Sequence, residues 1–75
     1  MNLIEYVTEN LGEYMQHGEE INLKECPFCG KSKWKFYLNR KNGLYNCFHA
    51  SCRAKGHINK LAAEKEITID DDFEH

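Results

Sequence analysis

Four cysteines in a chain of 75 residues set the strongest limit on what this sequence can fold into. A chain this short buries only about 60% of the surface its unfolded form exposes, so a core alone is marginal and a staple is the usual remedy. Cysteine provides one in two ways: two disulfides, or one four-thiolate metal site. No basic stretch followed by an apolar run marks a leader, and no segment approaches the ~18 apolar residues of a membrane span. The expected compartment is therefore a reducing cytoplasm, where thiols bind metal rather than each other.

The spacing supports the metal. Cys26 and Cys29 form C-x2-C, seventeen residues intervene, and Cys47 and Cys52 form C-x4-C. Each close pair can present two sulfurs from one turn, and a tetrahedral shell of four thiolates suits one structural zinc ion. In Cys26-Pro27-Phe28-Cys29-Gly30, proline fixes φ just after the first sulfur and Gly30 is free to take a positive φ. The second pair is less regular. His49 stands three residues before Cys52, so His49/Cys52 is a rival ligand pair that would leave Cys47 a buried thiol. The four-cysteine set is preferred because Cys47 follows a strand where a knuckle ligand is expected. A catalytic zinc would keep an open position and a nearby base. With four good ligands and Glu25 the only acid near them, the expected metal is structural and the chain is not an enzyme.

Between the pairs, residues 33–40 read as a strand. Trp34, Phe36 and Leu38 share one parity, and Lys33, Lys35, Tyr37 and Asn39 the other. Asn42-Gly43 is a hairpin-turn signal. As a two-residue turn it places Leu38 opposite Cys47, with Tyr45 and Cys47 on the Phe36 face and Asn46 and Phe48 on the Tyr37 face. Trp34 is assigned to the core by parity, with base stacking as its alternative role. Residues 2–16 read as an amphipathic helix with Leu3, Val7, Leu11 and Tyr14 as its stripe, widened by Ile4 and Met15. Residues 17–25 read as a connector. Ile58, Leu61 and Ala62 mark a second helix from His57 to about Lys65. The expected class is a small α+β zinc ribbon: a zinc-stapled antiparallel hairpin flanked by two short helices. Its domain spans residues 1–65, and residues 66–75 form an acidic, frayed tail ending in Glu74-His75, which reads either as native or as a tag remnant.

Charge is divided sharply along the chain. Residues 24–60 hold nine lysines and arginines and one acid, whereas the remainder holds one base and eleven acids. A basic segment between acidic flanks suggests a polyanion-binding patch, the plainer reading being lysines that merely solvate a small sheet. Lys33, Lys35, Tyr37 and Phe48 would combine cations with stacking rings. Arg40 and Lys41 at the hairpin tip, and Arg53 and Lys55 after the last cysteine, would extend the track. His49, Asn39 and Asn46 are candidates for contacts to base edges.

The run Cys26-Pro27-Phe28-Cys29-Gly30, Phe36 in a strand, Tyr45-Asn46-Cys47-Phe48, Cys52, and Lys55-Gly56-His57 before a short helix resembles the N-terminal zinc-binding domain of bacterial and phage DNA primases. The likeness spans roughly residues 2–65. Many cellular primases carry histidine where this chain has Cys29, and several phage primases and primase-helicases carry cysteine, so the phage type is the nearer match. The family usually closes with Cys-x2-Cys, whereas here the gap is four. The resemblance implies a module that binds single-stranded template DNA and helps select primer start sites. It would act beside a separate polymerase core or a replicative helicase, with no membrane and no small-molecule substrate, in a bacterial or phage-infected cell. The alternative is a protein-interaction ribbon of a replication or transcription protein, its acidic flanks or first helix docking a partner.

Overall fold

Asn2 starts the fold by capping helix α1 (Leu3–Tyr6): its side chain accepts from the Glu5 N–H at 2.8 Å, and the Glu5 carboxylate reaches back to the Asn2 N–H. This reciprocal arrangement satisfies two amides that the helix leaves unpaired. In the computed structural model, which describes residues 1–73, the helix then widens into a π-helical turn over Val7–Leu11. The Gly12 N–H closes that turn on the Val7 carbonyl at 3.0 Å, and Gly12 leaves it at φ +94°.

The helix expected over residues 2–16 thus ends at Gly12, because the chain exits through a conformation that suits glycine and stops helix propagation. Tyr14–His17 is instead strand β1, and the expected connector contains β2 (Glu20–Leu23). After the first cysteine pair come β3 (Phe36–Asn39), β4 (Leu44–Cys47) and β5 (Lys55–His57), then α2 (Ile58–Ala63). The five strands form one antiparallel sheet in sequence order, β1-β2-β3-β4-β5. The expected hairpin is its centre.

Register aligns the side chains in rows. Leu23, Phe36 and Cys47 lie in one row, and Ile21, Leu38 and Tyr45 in another. These rows face the core, where Leu3, Val7, Ile58 and Ala62 cover them. Met15, Asn22, Tyr37, Asn46 and Lys55 form a row on the opposite, outer face. Leu38 pairs with Tyr45 rather than with Cys47. The shift is two residues, so every expected face assignment in β3 and β4 is kept. It arises because Arg40–Gly43 form a four-residue loop: the Asn39 carboxamide accepts from the Lys41 and Asn42 amides, and Asn42 accepts from Leu44.

Two further expectations change. Trp34 does not join the core: its φ of +57° breaks the strand parity one residue before Lys35, and it is only half-buried. Its carbonyl instead accepts from the buried Asn22 side chain, which also bonds Phe36 O. Residues 67–73, expected to fray, fold back on the body. Glu66 at φ +60° stops α2, with Ile67 N–H donating to Ala62 O and Glu66 N–H to Ala63 O, the paired bonds of a Schellman stop. Ile69 is then 7% exposed, Asp70 N–H donates to Met1 O, and the Asp71 carboxylate accepts from Leu3 N–H. The reading of Glu74-His75 concerns residues outside those described.

Candidate metal centre

Strand direction brings the cysteine pairs together. β2 and β4 both run antiparallel to β3, so both end beside Phe36, the partner of Leu23 on one side and of Cys47 on the other. The first cysteine pair follows β2 and the second begins at the last residue of β4. The two turns therefore meet across the start of β3.

The first turn is a tight knuckle. Gly30 N–H donates to Cys26 O at 2.9 Å, Cys26 N–H to Lys31 O at 3.2 Å, and Phe28 N–H to Cys26 Sγ at 3.4 Å. Gly30 takes φ +70°, as its sequence position suggested. In the second turn the His49 carbonyl accepts from both Cys52 N–H and Arg53 N–H, at 3.0 and 3.3 Å. That single helical turn absorbs the two extra residues of the C-x4-C spacing. Arg53 then occupies the left-handed region at φ +52° that Gly30 fills in the first knuckle, and Cys47 N–H closes the turn on Ala54 O at 2.7 Å.

All four sulfurs lie within 4.8 Å of one another, with Cys26 Sγ and Cys52 Sγ 3.7 Å apart. That separation is far beyond an S–S bond of ~2.05 Å, and all four cysteines are free thiols. Four convergent sulfur donors, two buried and two half-buried, can hold one metal ion. His49 is not part of the cluster; its Nδ1 lies 2.8 Å from Ser51 Oγ. Without metal, burial pushes the Cys26 thiol up to about 12, against the opposing pull of the Cys29 and Phe28 amides. Burial also raises Cys47, whereas a hydrogen bond from the Ala54 amide lowers Cys52. Amides aimed at sulfur are suited to thiolate, so the knuckles are arranged for the ionised ligand.

The cationic residues fall into two groups. Phe48, 61% exposed, meets Tyr37 edge-on at 5.3 Å, and its N–H donates to Lys35 O. Asn46 and Lys55 follow Tyr37 along the same outer row. Lys35, Tyr37, Asn46, Phe48 and Lys55 thus share one face next to the cysteine cluster. Lys33 precedes the sheet and Arg53 sits on the second knuckle, while Arg40 and Lys41 lie in the β3–β4 loop at the far end of the strands. Two members of this surface were not foreseen as such: Met15, 46% exposed in the Tyr37 row, and Leu44, 52% exposed. Met15 was hidden by the helix assignment, whereas Leu44 shares the parity of Asn46 and its outward face was readable from the hairpin. Among the described residues no helix is long and apolar enough to cross a membrane. Compared with protein-family models, curated proteins and solved structures, the chain matches none.

Proposed function

We propose that this chain is a zinc-ribbon module that binds single-stranded DNA across the outer face of its sheet, in the manner expected of a primase zinc domain that helps choose primer start sites. Zinc is favoured by the donor set. A tetrahedral thiolate shell with bonds of about 2.3 Å has sulfurs about 3.8 Å apart, close to the 3.7 Å between Cys26 and Cys52. Such an ion would be structural, held by Cys26, Cys29, Cys47 and Cys52, with its binding free energy serving as folding free energy.

One observation carries the DNA reading: the outer sheet face sets Tyr37, Phe48 and Asn46 beside Lys35 and Lys55. Neither lysine makes an ion pair with the described residues. Rings stack on bases at ~1–3 kcal/mol each, and the cations track phosphates. Arg53 and Lys33 extend this path beside the knuckles, and Arg40 and Lys41 extend it past the loop. On this reading the chemistry of primer synthesis belongs to a separate polymerase core, with a replicative helicase as a further partner, in the cytoplasm of a bacterial or phage-infected cell.

The test is fluorescence anisotropy of a labelled single-stranded oligonucleotide against the zinc-loaded protein at several salt concentrations. The log–log slope should approach about −0.7 per phosphate neutralised. Lys35→Glu and Arg53→Glu should abolish binding while circular dichroism stays native. A flat salt response with unchanged affinity in both variants would refute this reading. It would favour instead a protein-docking face, for which exposed Met15 and Leu44 are the supporting observation.

A further inference from the structure

Three aromatic rings stack outward from the core on the inner side of the sheet. Phe36, fully buried, lies against Tyr45 with centroids 5.4 Å apart and 21° between planes. Tyr45 lies against Phe28 at 5.4 Å and 23°. Phe28 projects from the first knuckle and remains 45% exposed. The stack thus ends at the surface in a ring supported from behind by another ring.

A cleft passes on both sides of Phe28. One side is a cavity of about 380 Å³ between the knuckle, the π-helical turn and α2, lined by Tyr6, Asn10 and Pro27 among others. The other is a cavity of about 240 Å³ against β5, with Tyr45, Lys55 and Lys60 in its wall. Phe28, Leu61 and Glu64 line both. The second cavity shares Tyr45, Lys55 and Gly56 with a third, of about 510 Å³, that also touches Leu44 and Asn46. The cleft is therefore continuous with the cationic outer face around the β5 edge. It crosses at Gly56, where an added Cβ would lie 2.9 Å from the Tyr45 hydroxyl.

Glu64 is the carboxylate common to both cavities; Glu25 and Lys65 also line the first, and Lys55 and Lys60 the second. The Glu64 backbone N–H is used in closing α2, but its carboxylate makes no hydrogen bond or ion pair with the described residues. Glu64 shares the wall of the first cavity with Tyr6 and of the second with Tyr45, and after burial its charge is the next cause holding both phenols above their usual range. A carboxylate beside an open aromatic face suits a flat partner with paired N–H donors in its plane. Guanine presents N1–H and its N2 amino group side by side. Thymine presents one N–H flanked by two carbonyl oxygens, which a carboxylate repels.

We infer that the cleft at Phe28 is a base-binding subsite selective for guanine over thymine. The base stacks on Phe28 with its amino edge on Glu64, and the strand reaches it from the outer face past Lys55 and Gly56. The inference rests on the single-strand reading of that face and gives it a sequence preference.

Wild-type protein, Glu64→Gln and Phe28→Ala are titrated with labelled oligo-dT and with the same oligomer carrying one central dG. The wild type should prefer the dG oligomer by about tenfold, the scale of one good carboxylate–base contact. Glu64→Gln, a surface change that leaves the core intact, should collapse that ratio towards one. Phe28→Ala should do the same where its fold survives. Equal wild-type affinities, or a ratio that survives Glu64→Gln, would overturn the subsite. Should neither oligomer bind, the outer-face reading fails, and the subsite is read separately with dGMP and TMP by amide chemical shifts. Perturbations at Phe28, Leu61 and Glu64 with dGMP alone would uphold it, and their absence would reject it.

Discussion

Replacing Cys47 by serine tests the ligand set directly, because the rival set substitutes His49 for it. Zinc contributes on the order of 10–16 kcal/mol to a small four-ligand domain at neutral pH, or about 2.5–4 kcal/mol per ligand. At about 1.4 kcal/mol per decade, Cys47→Ser should weaken zinc binding roughly 60- to 700-fold. Cys47 is 1% exposed and lies in the sulfur cluster, so water has little access to compensate. His49→Ala removes only the contact to Ser51, worth about 1 kcal/mol or less at a partly exposed site. Its zinc affinity should stay within a few-fold of wild type. Competition against a chromogenic chelator measures both, with thermal melts as a parallel readout. A loss on His49→Ala as large as that on Cys47→Ser would refute the four-sulfur assignment.

Other consequences follow from named contacts. Ile69→Ala should cost about 2 kcal/mol in urea titration, the lower end for a large-to-small core change, since Ile69 is buried with the core; no change would mean the segment is not docked in solution. Glu66→Gly should raise stability by about 0.5 kcal/mol, because leaving the left-handed region to glycine relieves ~1–2 kcal/mol while glycine adds back ~0.5–1 in unfolded-chain entropy; Glu66 sits at φ +60°. Acid should weaken metal binding. The Cys26 thiol is raised to about 12 and Cys47 is raised as well, so both are protonated in the metal-free state and must release protons to the metal. Apparent affinity should therefore fall steadily as pH is lowered from 8 to 6. The raised values favour the metal-free fold below the ordinary thiol range near 9 and disfavour it above that range, the opposite dependence. A pH-independent affinity would exclude thiol ionisation on binding.

The parts of the fold that were legible in sequence are those set by short-range chemistry. The first knuckle is closed by bonds within residues 26–31, and the faces of β3 and β4 survive a two-residue change of register because side chains alternate with period two. The missed elements depend on partners distant in sequence. β1 was absorbed into the first helix because Tyr14 continues the spacing of Leu3, Val7 and Leu11 across Gly12, and only the φ of +94° there ends the pattern. β5 has three residues, Lys55-Gly56-His57, with no apolar alternation; it is a strand because β4 pairs with it. The docked segment at Ile67 and Ile69 was masked by the adjacent acids, two of which are spent on Met1 and Leu3. At the site, the four cysteines were readable from spacing. The Phe28–Tyr45–Phe36 stack was not, since it joins a knuckle to two strands.

The metal cluster and the outer face are mechanically one unit. Phe48 follows Cys47 directly, and the hydrogen bond its N–H donates to Lys35 O continues the β3–β4 ladder one residue past the last strand position. That bond sets Phe48 against Tyr37 and keeps Lys35 beside both. Gathering Cys47 into the cluster therefore fixes the exposed ring as well as the knuckle. A lost metal would release the ends of β2 and β4 from the start of β3, and the first contacts to loosen would be those of Phe48 and Lys35. For a sheet this small, an ion bound by the four cysteines would both close the core and hold the outer face in register, the face proposed above to carry a single strand.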